Sequence, residues 1–195
     1  MKTGDVLVAD DENNVVDEIT PSGSLSLLAG TGNCSTVPTP GAATAANLCG
    51  ITSVAVDSAT GDVFVGDQNV VAKVSPSGML SIVAGTGAAG APTPGPATSS
   101  ELGNIVGLAV NGANGDLYIS DVYSSPGGTS DEVLTVTHSR MLSDVAGAGP
   151  AGTETAGPAA ESELNNQWGI AVDSVNGDLF IADAGNYVVE KVTNP

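Results

Sequence analysis

A single histidine, two cysteines, 22 acidic side chains and 4 basic ones bound the chemistry open to this 195-residue chain. His138 is that histidine, so any Ser-His-Asp set must be built around it. Zinc sites that draw on several imidazoles have one to draw on, and two cysteines make a poor thiolate site. Paired carboxylates could carry acid-base work, yet no Asp or Glu pair is singled out by its surroundings. The residues therefore read as a non-enzyme, with a Ca²⁺-assisted hydrolase or lyase as the rival.

The acidic residues have one regular feature. Asp10, Asp67, Asp121 and Asp183 each close a copy of one recurring string. Together they could form an acidic ring for Ca²⁺, a hard cation that takes about six to eight oxygens. Equally, an Asp at a strand end starts a turn by accepting a backbone amide two residues on. The run Asp10-Asp11-Glu12-Asn13 is the densest carboxylate cluster, but it lacks EF-hand spacing. Asp10, Asp11, Asp67, Asp121 and Asp183 are thus the metal candidates, and Ca²⁺ is the one cofactor they suit.

Cys34 and Cys49 stand 15 residues apart in one segment, where the next repeat has Ala89 and Gly103. A matched pair confined to one loop reads as a loop-closing disulfide, worth about 3 kcal/mol in the chain-entropy view. Two unrelated buried thiols are the alternative. A disulfide would place the protein outside the cytosol, secreted or at the cell surface. Trp168 is the only tryptophan, and the matching positions are Thr52 and Val106. It is either an anchor for a sugar or protein partner, or a plug for a central channel.

The elements that must position these residues are repeats. The strings GDVLVAD (4–10), GDVFVGD (61–67), GDLYISD (115–121) and GDLFIAD (177–183) recur about every 60 residues. Their apolar residues alternate, the period of a strand. Call this strand B. Three copies are preceded by a strand A: SVAVD (53–57), GLAVN (107–111) and GIAVD (169–173). A strand C follows each: VVDEI (15–19), VVAKV (70–74), EVLTV (132–136) and VVEKV (188–192). Three strand D copies complete the set: SLSLLAG (24–30), MLSIVAG (79–85) and MLSDVAG (141–147). Four short antiparallel strands joined by tight turns make one propeller blade. The pattern BCD, ABCD, ABCD, ABC predicts 14 strands in about four blades, within one domain spanning 1–195. The blade segments are about 1–30, 51–85, 105–147 and 168–195.

The run AGTG, PTPGPATSSEL, GLAVNGANGDLYISD resembles the NHL-repeat β-propellers, especially the long-looped bacterial type. The resemblance covers nearly the whole chain and implies the fold more than a function. Two departures stand out. The family's strand C arginine is Val15, Val70 and Val188 here, and the family usually closes more blades than this chain supplies. Family members with lyase activity rely on metal-binding histidines that are missing here.

Loop lengths then separate two sides. The A–B and C–D turns are short. The D–A connections (31–50, 86–104, 148–167) and the third B–C loop (122–131) are long, and all fall on the other side. Loops collected on one side of a rigid scaffold are the usual place for binding, unless they only cover blade edges. The net charge of −18 opposes nucleic acid and anionic membranes, and Lys2, Lys73, Arg140 and Lys191 look too scattered for a basic patch. No apolar run has the length of a membrane span, and the first residues lack the apolar core of a signal peptide. Scarce Lys and Arg fit a secreted or surface protein, and equally one living at high salt. The expectation is a non-enzymatic extracellular interaction or structural module with a protein or glycan partner. It is an arc cut from a larger propeller or completed by a second copy; a carbohydrate or small-molecule sensor is the alternative. Its terminal blades would expose apolar faces carrying residues such as Val63, Val65, Leu117, Ile119, Leu179 and Ile181, and so self-associate.

Overall fold

The computed structural model describes residues 4–35, 37–126, 128–147, 152–153 and 157–195. Lys2 and part of the third long loop lie outside them. The chain forms four antiparallel sheets. The first holds β1 (Val6–Asp10), β2 (Val15–Ile19) and β3 (Leu25–Ala29). The second holds β4 (Gly41–Ala42), β5 (Ile51–Val56), β6 (Val63–Asp67), β7 (Val70–Val74) and β8 (Met79–Ala84). The third holds β9 (Gly95–Pro96), β10 (Asn104–Val110), β11 (Leu117–Ser125), β12 (Gly128–Val136) and β13 (Met141–Ala146). The fourth holds β14 (Gln167–Val172), β15 (Leu179–Asp183) and β16 (Val188–Val192). These are the blades of an all-β, four-blade propeller.

Two details differ from the strand count expected. The pairs β4 on β8 and β9 on β13 add a short fifth strand to the outer edge of the middle blades. Two-residue strands carry no readable periodicity. The third B–C loop is largely a ladder, since β11 and β12 pair on out to Ser125 and Gly128.

The turns between strands A and B are set by side chains. Asp57 Oδ1 accepts the Ala59 amide (2.8 Å), Asn111 Oδ1 that of Ala113 (3.0 Å) and Asp173 Oδ1 that of Val175 (2.9 Å). Each substitutes for a backbone turn bond and fixes the reversal.

Blades stack through alternating faces of each strand. Val63 and Val65 face backward along the chain and share a cluster with Leu7 and Ala9 of the first blade. Phe64 faces forward and packs with Leu108, Leu117 and Ile119. Tyr118 faces forward against Leu179 and Ile181. Close approach requires a glycine at 107, where a Cβ would stand 2.6 Å from the Trp168 carbonyl oxygen.

The packing runs β1 on β5, β5 on β10 and β10 on β14; no comparable packing joins the last blade to the first among the described residues. The arrangement is an open arc with two uncovered faces. They are not where the sequence pointed: Val63, Val65, Leu117, Ile119, Leu179 and Ile181 are all buried, because each faces the blade before it. On the first blade no blade packs onto the matching residues Val6 and Val8 among the described residues, and Val6 is 57% exposed against 3% for Val63. On the last blade Val189 is 71% exposed, whereas Val16, Val71 and Val133 at the same position are 0%.

Candidate functional site

The long connections pack onto the blades that follow them. Leu48, Leu102 and Leu164 anchor them, all buried, and short 3-10 turns at Ala43–Ala45, Ala97–Ser99 and Ala159–Glu161 precede those anchors. Gly30, Gly85 and Gly147 donate their amides to Ala43, Ala97 and Ala159. The described parts of these loops are therefore built structure, tied to the blades at fixed points.

The strand-end aspartates hold these loops to the blades. Asp67 Oδ1 accepts the Cys49 amide (2.9 Å), Asp121 Oδ2 the Gly103 amide (3.0 Å) and Asp183 Oδ1 the Asn165 amide (3.1 Å). The acceptor and donor positions are equivalent in all three blades. In the first blade, where the described residues include no strand A, Asp10 turns on itself and accepts both the amide (3.2 Å) and the side chain (2.8 Å) of Asn13. Asp11 lies exposed in that turn. Asp67, Asp121 and Asp183 are each buried within their own blade. Among the described residues, no three Asp, Glu, His or Cys side chains gather as a metal-ligand set.

Burial pushes Asp67 and Asp121 up to about 7; the amide bonds they accept oppose this, and the nearby Glu132 charge adds to it at Asp121. Asp131 and Glu132 are also raised, first by burial.

A second column of residues ties each blade to the next, and the sequence did not single it out. Asn14 Oδ1 accepts the Gly50 amide at 3.2 Å, Asn69 Nδ2 donates to the Leu102 and Gly103 carbonyls, and Asp131 Oδ2 accepts the Asn166 amide at 2.9 Å. Gln167 Nε2 reaches back to the carbonyls of Asp121 (2.9 Å) and Glu132 (3.1 Å). Replacing Asn69 with Ala orphans two carbonyls at a blade junction. The expected cost is about 1–2 kcal/mol of stability by denaturant unfolding; no change would mean the junction is held by packing alone.

In the last blade the same column is occupied by Tyr187, 94% exposed. Trp168 is 60% exposed. It stands at the position from which the Thr52 hydroxyl donates to the Ile105 carbonyl of the following blade. Val106, at that position in the third blade, is half-buried. Thr52, Val106 and Trp168 thus follow one another along the innermost strands, and Trp168 and Tyr187 lie on the loop side of the uncovered face, with Val189 on that same face.

Cys34 and Cys49 form a disulfide, with Cα atoms 4.5 Å apart. No helix among the described residues is long and apolar enough to cross a membrane.

Comparison with known proteins bears on the fold. No family profile and no curated protein matches the chain. Solved structures do. A Bacteroides thetaiotaomicron protein of unknown function is 18% identical, with a TM-score of 0.72 over 96% of this chain and 44% of its own. An auxiliary nutrient binding protein from the same organism is 13% identical, with a TM-score of 0.69 over 96% and 44%. A streptogramin B lyase is 16% identical, with a TM-score of 0.58 over 100% and 49%. The chain spans about half the length of the structures it matches.

Proposed function

We propose that this chain is a non-enzymatic, extracellular interaction module of the NHL-like propeller type, and that it binds through the loop side of its last blade. One observation carries the reading. Val189 is exposed where Val16, Val71 and Val133 are fully buried, and Trp168 and Tyr187 are exposed on the same face. Exposed aromatics beside an apolar residue are the composition of interface anchors. The disulfide supports an oxidising compartment.

The partner surface that fits is the backward face of another blade of this kind. The chain carries one such face uncovered, with Val6, Val8, Leu25 and Leu27 all exposed. A second copy would place it on the Trp168 face, head to tail. Sedimentation at micromolar concentration tests this. The expected result is a mass above the 19.0 kDa of the single chain, falling to it in Val189→Glu. A wild-type protein that stays monomeric and well folded overturns self-association.

A second reading is favoured by the same aromatics and by the nutrient-binding neighbour: a glycan sensor. Trp and Tyr present flat apolar faces with a polar edge, which suit sugar rings. A glycan array with Trp168→Ala as control separates the two. Binding lost in the variant supports the sensor, and an empty array with an intact oligomer supports the protein-binding module.

A further inference from the structure

The side of the propeller opposite the long loops holds clefts between neighbouring blades, and two of them can be compared position by position. The cleft between the first and second blades, about 180 Å³, is lined by Glu18, Leu28, Val63, Val74, Pro76 and Gly78 among others. The cleft between the second and third, about 240 Å³, has Lys73, Val83, Leu117, Val136, His138 and Arg140 at the same places. The apolar floor is kept, and the three polar or small rim positions have all become basic or titratable. The chain has only 4 Lys and Arg residues and one His. Two of those four cations and the sole imidazole meet in this one cleft, although 67 residues of sequence separate Lys73 from Arg140.

Arg140 is the informative member. Its backbone is left-handed, φ +63°, where the first two blades place Gly23 (+81°) and Gly78 (+77°). A side chain there costs backbone energy that glycine avoids. Its guanidinium forms no ion pair among the described residues, whereas the Lys73 ammonium is already held by Asp62 at 2.8 Å. The acidic members of the lining are engaged as well: Asp62 with Lys73, and Asp57 with the Ala59 amide and the Thr60 hydroxyl (2.8 Å each). Asp116, just outside, accepts the His138 amide at 3.2 Å.

We propose that this cleft binds a small hydroxylated carboxylate, the chemistry shared by sugar acids and short hydroxy acids. The Arg140 fork takes the carboxylate, with His138 beside it. Thr60, Thr137 and the remaining lone pairs of Asp57 and Asp62 take hydroxyl groups. Phe64, Val83 and Leu117 floor the apolar side of the ligand. At ~30 Å³ per water, 240 Å³ is room for about eight waters, enough for one monosaccharide ring. The site is independent of the Trp168 face and lies on the other side of the molecule.

Titration calorimetry with glucuronate, 3-hydroxybutyrate and glucose tests the proposal on the wild-type chain. Glucuronate or 3-hydroxybutyrate should bind at least tenfold tighter than glucose, and which of the two leads identifies the source class. Arg140→Gly restores the residue that the neighbouring cleft carries and relieves the left-handed position, so it should melt no lower than wild type. In it the preference for the acid over glucose should vanish; in His138→Pro it should weaken. Trp168→Ala should leave it unchanged. Equal binding of acid and neutral sugar, no binding of either acid, or an undiminished preference in Arg140→Gly would each overturn the site.

Discussion

The folded protein is expected to lose stability as the pH rises from about 4 to about 8, and Asp67 and Asp121 are the cause. Both are buried. Each has one carboxylate oxygen on a backbone amide, and the other, Asp67 Oδ2 or Asp121 Oδ1, meets no hydrogen-bond partner among the described residues. Charging such a group without water is unfavourable, so burial raises both from 3.8 to about 7. Between those values the folded chain keeps a proton that the unfolded chain has released. The stability these groups contribute is therefore fully present below pH 3.8 and gone once the pH has passed through about 7. The slope is at most ~1.4 kcal/mol per pH unit for each group. At about 2–4 °C per kcal/mol for a chain of this size, melting at pH 8 should fall on the order of 10–20 °C below melting at pH 5. Asp121→Asn keeps an acceptor for the Gly103 amide and cannot charge. It should flatten the curve and stabilise the protein at pH 8 by on the order of 2 kcal/mol. A melting temperature that is level or rising from pH 5 to pH 8 would contradict this assignment.

These same aspartates mark what the sequence made legible. The GDxxxxD strings gave strand B in every blade, and the fixed place of the terminal Asp suggested turn chemistry. The amide each one accepts was hidden, because Cys49, Gly103 and Asn165 share no residue type. A backbone donor leaves no mark on side-chain identity. The two uncovered faces were hidden for a related reason. Val6 and Val63 are the same residue in the same string, and only the presence of a blade in front decides which is buried. Val189 against Val71 repeats the lesson at the other end. Lys73 and Arg140 looked scattered because distance along a repeat chain says little about blade neighbours; aligned by strand, they fall on two sides of one cleft. The Asn14, Asn69, Asp131, Tyr187 column could have been found by the same alignment, since a polar position turned aromatic in the last blade is visible in the sequence.

Breaking the Cys34–Cys49 bond should lower stability by about 3 kcal/mol, the chain-entropy value for a loop of about 15 residues. On the scale above, that is roughly 6–12 °C in melting temperature under reductant, or in Cys34→Ser with Cys49→Ala. The loop has more than entropy at stake. Cys49 is itself nearly buried, its amide is the donor to Asp67, and Gln68 Nε2 lies 3.3 Å from its sulfur. The neighbouring residue Leu48 is fully buried, and β4 in the same loop edges the second blade. The equivalent loop at 86–104 carries no cysteine and holds Leu102 just as deeply, so packing alone suffices there. Reduction should consequently open one loop and leave the other. That gives the prediction a second reading. Opening the first loop lets water reach Asp67, while Asp121 stays dry under the 86–104 loop. The pH dependence should then shrink by about half on reduction, and the remainder should disappear when Asp121→Asn is added. A reduced protein with an unchanged melting temperature would show that Leu48 and β4 already close the loop. A lower melting temperature with the full pH slope would show that Asp67 keeps its burial without the covalent tie.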